Sequence, residues 1–153
     1  MNTAVRVIIA IVIALALATG AGFARAERGT RDEAITMVKK AIESIKTDAP
    51  KTYAEITAQV PAYHDRDLYA IVYDSTGRCL AHGNNPNRAG QNMIDDQDAN
   101  GVHFIQDRME LMKTQASFWQ EYKYSDPITK RIRPKSTYCE RLNDTVVCVG
   151  VYK

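Results

Sequence analysis

The chain has no G-x-S-x-G motif, which takes away the usual serine nucleophile of a hydrolase. It has no C-x-x-C-H either, so covalent haem attachment is not indicated. Cysteine is scarce, at three residues. Cys79 and His82 have C-x-x-H spacing, but no second pair follows, and a structural zinc site needs four ligands. No metal and no other cofactor is therefore expected. An excess of charge of one sign is also missing. Of the 20 Lys and Arg residues, Arg6 and Arg25 fall within the first 26 positions, leaving 18 basic against 18 acidic residues in the rest. That balance gives no support to general nucleic-acid binding. Internal repeats and low-complexity stretches are absent as well.

What is present begins with a targeting pattern. Arg6 precedes an apolar run from Val7 to Ala18, and small residues then lead to Ala24-Arg25-Ala26. A charged start, an apolar middle and an A-x-A end predict a secretory signal over residues 1–26, with Glu27 as the mature start. The alternative is a retained anchor, since the uncharged stretch from Val7 to Ala24 reaches the minimum of about 18 residues for a span. Either way, residues 27–153 form the exported unit, periplasmic or extracellular if cleaved and membrane-anchored if not. They suffice to bury one core without obligatory disulfides.

Thr30 and Glu33 have the spacing of a capping box, which opens a helix. Ala34, Val38, Ala41 and Ile45, joined by Ile35 and Ile42, repeat behind it at helical spacing. Pro50 should end this helix by Ala49, and a shorter helix is expected from Lys51 to Gln59. The apolar stripe suits packing on the domain's own sheet, with a homodimer seam as the alternative. Leu68 to Tyr73 and Arg78 to His82 read as a hairpin around Asp74-Ser75-Thr76-Gly77. Gly83 to Gly101 is long and polar enough for a binding loop, and Val102 to Thr114 reads as a helix. Ser117 to Tyr124, Ile132 to Leu142 and Thr145 to Tyr152 read as three further strands. The expectation is an α+β domain with a five-stranded antiparallel sheet.

A two-residue turn at Asn143-Asp144 sets Cys139 opposite Cys148 at a position where the chains approach closely. In an oxidising compartment this pair predicts a cross-strand disulfide. Two buried reduced cysteines remain the alternative, and Cys79 is left over as a buried thiol or an intermolecular link.

Cations (Arg66, Arg88, Lys135), aromatics (Tyr69, Tyr73, Trp119, Tyr122, Tyr138) and His82 recur around the strands. A cation among aromatic walls suits a small carboxylate, because a buried carboxylate must be paired. Alternation puts Lys135 on one face with Thr137 and Cys139, and Tyr138 on the other with Ser136.

The run Asp65-Arg66-Asp67-Leu68-Tyr69-Ala70-Ile71-Val72-Tyr73-Asp74, then Gly77, Leu80-Ala81-His82-Gly83, Asn85-Pro86 and Gly90-Gln91-Asn92, resembles the single Cache family of extracellular sensor domains. So do Tyr122-Lys123-Tyr124, Asp126-Pro127, Thr129 to Tyr138, and Val149-Gly150-Val151-Tyr152. The resemblance covers roughly residues 32–153. It implies a long N-terminal helix on a PAS-like five-stranded antiparallel sheet, and a pocket closed by the loop and helix between the second and third strands. It also implies sensing of short organic acids, with pocket positions at Tyr69, His82, Trp119, Lys135, Tyr138 and Arg66. Arg88-Ala89 departs from the apolar pair more common there, and the three cysteines stand where small or apolar residues are usual.

The sequence closes on its last strand, so the expected role is a binding module that signals through a separate kinase or chemoreceptor, and not an enzyme. Asp95, Asp96 and Asp98 near His103 read as a solvated loop. A structural or redox-linked interaction protein is the alternative.

Overall fold

The computed structural model describes residues 27–153, so the expected signal or anchor at 1–26 lies outside the described residues. Helix α1 (Arg31–Thr47) starts from a complete capping box. The Thr30 hydroxyl accepts from the Glu33 amide at 3.2 Å, and the Glu33 carboxylate accepts from the Thr30 amide at 2.7 Å. Asp48 then serves two helices. Its amide donates to Ser44 O at 2.9 Å, closing α1, while its carboxylate accepts from the Lys51 amide at 3.1 Å, opening α2 (Ala49–Thr57). Pro50 therefore sits inside the first turn of α2, where its missing N–H costs nothing, and the second helix begins earlier than its sequence suggested.

The sheet contains β1 (His64–Asp65), β2 (Leu68–Asp74), β3 (Cys79–His82), β4 (Ser117–Ser125), β5 (Ile132–Leu142) and β6 (Thr145–Tyr152). It has six strands where five were expected, the addition being the two-residue β1. All pairings are antiparallel: β4, β5 and β6 form a meander, β2 lies beside β6, and β1 and β3 both pair with β2. Helix α3 (Phe104–Thr114) connects the first hairpin region to β4.

Strand alternation divides the core. One face carries Ala70, Val72, Val147 and Val149 against Ala34, Val38 and Ala41 of α1. The stripe at helical spacing is thus consumed by the domain's own sheet. Each fully buried aliphatic of valine size contributes on the order of 1.5–3 kcal/mol. The opposite face carries Tyr69, Ile71, Tyr73, Phe118 and Tyr122 against Phe104, Ile105, Met109 and Met112.

The expected disulfide joins Cys139 and Cys148 across β5 and β6, with Cα atoms 4.2 Å apart. Cys79 is a buried free thiol. Among the described residues, no helix is long and apolar enough to cross a membrane.

The loop from Gly83 to His103 folds back along β3. The Cys79 amide donates to Gln91 O at 2.8 Å, and the Gly90 amide donates to Cys79 O at 2.7 Å. Asp98 ties its far end to the sheet by accepting from the Lys123 amide at 2.9 Å. Loop and α3 together roof the second face of the sheet.

Candidate ligand site

Lys135 is the centre of that roofed face. It is fully buried, and its ammonium stands 4.1 Å from the Tyr69 ring centroid, 4.9 Å from Tyr152 and 5.5 Å from Tyr124. Its stem lies over Gly150, where any β-carbon would collide with it and with Thr137 Oγ1. Its hydrogen bonds run in one direction. Lys135 Nζ donates to Tyr69 Oη at 2.7 Å. Tyr152 Oη donates to Ser125 O at 2.8 Å, so the 3.0 Å contact between the two tyrosine oxygens uses the Tyr69 proton. Both phenolic donors are spent within this chain. Two of the three ammonium N–H bonds are not.

Arg108 supplies a second cation from α3. It too is fully buried, with its guanidinium carbon 5.3 Å from the Tyr73 ring and 5.4 Å from the Tyr122 ring. Its Nε donates to Gln120 Oε1 at 3.0 Å, and the Gln120 amide donates to Phe104 O at 2.7 Å, which fixes the fork. Both terminal nitrogens are buried with no partner. No carboxylate forms an ion pair with Arg108 or Lys135 among the described residues.

His82 completes the set. Its Nδ1 accepts from the amides of Asn84 and Asn85, at 3.2 and 3.0 Å. Burial, reinforced by Lys135 and Arg88, drops its pKa to about 3, so the ring is neutral and Nε2 carries the proton. That Nε2 is buried and unpartnered. The ring stacks on Tyr69 with centroids 5.6 Å apart. Burial also lowers Lys135 to about 8, with Arg108 adding to the fall. Burial raises the Tyr122 hydroxyl, but Lys135 and Arg108 more than offset it and leave it at about 8.

The fold thus brings Tyr69, His82 and Lys135 together. Trp119 and Tyr138 lie on the α1 face, paired across β4 and β5 with centroids 5.3 Å apart, and the Arg31 guanidinium stacks 3.6 Å over Trp119. The cause is the strand period, since Tyr138 is an odd number of residues from Lys135. Arg66 sits at the surface in ion pairs with Glu33 and Asp65, both at 2.7 Å. Arg88 pairs with Asp96 at 3.2 Å in the loop.

Sequence reasoning passed over Arg108, whose signal was its place in a helical stripe. Phe104, Arg108 and Met112 are spaced by four, so a charge there must be buried. Among the described residues, no group of three or more His, Cys, Asp or Glu side chains is arranged to hold a metal ion.

The family model for Single Cache domain 2 matches residues 10–153. No curated protein sequence matches the chain. The fold is similar to a solved methyl-accepting chemotaxis protein from Vibrio parahaemolyticus RIMD 2210633. The TM-score is 0.68 at 23% identity, over 79% of this chain and 86% of that one. It is also similar to a Cache chemosensory domain solved to explain carboxylic acid recognition. There the TM-score is 0.66 at 16% identity, over 79% of this chain and 91% of that one. A periplasmic sensor domain of a chemotaxis protein gives a TM-score of 0.62 at 22% identity, over 79% and 88% of the two chains. The chain belongs to the single Cache domain family of extracellular or periplasmic sensor domains.

Proposed function

We propose that this domain is an exported sensor for a short organic acid, held between Lys135 and Arg108 and signalling through a separate membrane-bound partner such as a kinase or chemoreceptor. One observation carries the reading. Unspent donors gather on the roofed face at Lys135, Arg108 and His82, and two of these three groups are cations. A group that only accepts, with negative charge, answers all of them, and a carboxylate is such a group. A buried cation without a counter-charge is costly, so a bound anion repays the cost of building the site. The likeness to a Cache domain that recognises carboxylic acids supports the same class of ligand.

The redox-linked alternative finds less support. Burial pushes the Cys79 thiol up to about 12, which withholds the thiolate needed to link two chains. A homodimer through α1 would have to use its polar outer face, because the apolar stripe is buried on the sheet.

A thermal-shift screen of short organic acids, amino acids and amines tests the proposal. A ligand selective for the folded state raises the melting temperature with concentration. The expected result is a saturable shift with a short acid that is lost in Lys135→Ala. No shift with any acid would remove the carboxylate reading, and the same shift in the variant would remove Lys135 from the site.

A further inference from the structure

Three large hydrophobic side chains are more than a third exposed among the described residues: Ile132 at 57%, Val102 at 39% and Ile128 at 37%. Two of them flank the β4–β5 turn, Ile128 within it and Ile132 as the first residue of β5. There Ile128 and Ile132 bracket Lys130 and Arg131, which are exposed and form no ion pair among the described residues. A single exposed isoleucine is ordinary. A rigid apolar and cationic tip is less so.

Its rigidity comes from Asp126, a buried carboxylate at the base of the turn. Asp126 accepts from the amides of Ile128 and Thr129 at 2.8 and 3.3 Å, and from the Thr129 hydroxyl at 2.9 Å. Arg28 donates to the same carboxylate at 2.7 Å. Arg133, beside Ile132, donates to the carbonyl of Lys153. The turn, Arg28 and Lys153 therefore lie at one end of the sheet. In the sequence, the apolar run Val7 to Ala18 comes shortly before Arg28.

We propose that the β4–β5 turn is a membrane-docking tip for anionic lipid. Ile128 and Ile132 enter the boundary between headgroups and acyl chains, and Lys130 and Arg131 meet lipid phosphates. Apolar residues beside unpaired cations suit an interfacial position, where the cations are drawn to an anionic surface. The Asp126 bonds preorganise the turn, which reduces the ordering cost of docking. The tip uses none of the ligand-site side chains, so this proposal stands independently of the ligand.

The test uses the full chain with vesicles of neutral phosphatidylcholine, with or without anionic phosphatidylglycerol. Ile128→Cys, Ile132→Cys and Asn143→Cys each carry an environment-sensitive fluorophore. Cys79 is buried and Cys139–Cys148 is bonded, so the new thiol takes the label. Asn143 serves as the distant control, since the 11 residues of β5 separate it from the tip. The expected result is a blue shift at 128 and 132 only with anionic vesicles, lost on joint Lys130→Glu and Arg131→Glu substitution. Water-like emission at both positions in both vesicles overturns the proposal. So does an equal shift with neutral lipid, or a matching shift at 143.

Discussion

The side chain of Lys135 lies across Gly150 of the neighbouring strand, in space that a β-carbon at position 150 would need. The glycine thereby sets where the ammonium lands. Gly150→Ala keeps every charge but pushes the lysine away from Tyr69. The expected outcome is at least a tenfold loss of acid affinity, with a stability cost of about 1–3 kcal/mol from overpacking. Calorimetric titration checks this, and wild-type affinity in the variant would separate Gly150 from the site.

Lys135 should be a cost to the empty protein. Replacing it with methionine retains most of the volume and removes a buried unpaired charge, a change that can stabilise by about 1–4 kcal/mol. Lys135→Met is therefore expected to melt several degrees higher than the empty wild type while no longer responding to acids. A lower melting temperature would show that the ammonium is already well compensated by its tyrosines.

Acid binding should depend on pH with a definite sign. Burial holds Lys135 at about 8 in the empty protein, and a bound carboxylate raises it by favouring the charged form. Affinity is then full below about pH 8 and falls above it, by up to tenfold per pH unit. Tyr122, at about 8, loses its proton in the same range and adds to the fall. Titrations from pH 6 to about pH 10 read this directly. A flat profile would mean that the lysine charge takes no part in binding.

Asp126 gives an acid limb to stability. Burial pushes its carboxyl up, but Arg28, the amides of Ile128 and Thr129, and the Thr129 hydroxyl outweigh this and hold it at about 2. A folded pKa below the unfolded value contributes stability that is full above about pH 4 and lost as pH falls through about 2, on the order of 2 kcal/mol. Asp126→Asn should lose about 1–3 kcal/mol at neutral pH and show a shallower acid slope in denaturant unfolding. An unchanged slope would assign the acid response elsewhere.

The sequence showed most of the architecture because its periods are clean. The stripe from Ala34 to Ile45 and the alternation in β4 each match a single element. The Cys139–Cys148 register followed from the Asn143-Asp144 turn. The site was only partly legible. Alternation correctly separates Lys135 from Tyr138, and the α1 face where Tyr138 and Trp119 lie is the one against Arg31. Arg108 escaped because a charge in a helical stripe looks like a break in the pattern until the partners of the stripe are known. Asp67 and Asp126 were equally silent, because their common partner Arg28 is distant in sequence from both.

Lys135 and Ser136 are joined by one peptide bond and look in opposite directions. Lys135 faces the roofed side, and the Ser136 hydroxyl accepts from Arg31 at the start of α1, at 3.2 Å. The strand therefore acts as a partition with a handle on each side, one peptide wide. A displacement of β5 that re-seats the lysine also moves the serine against the helix. On the function proposed above, a signal from the site crosses a single sheet to reach α1, which covers its other face.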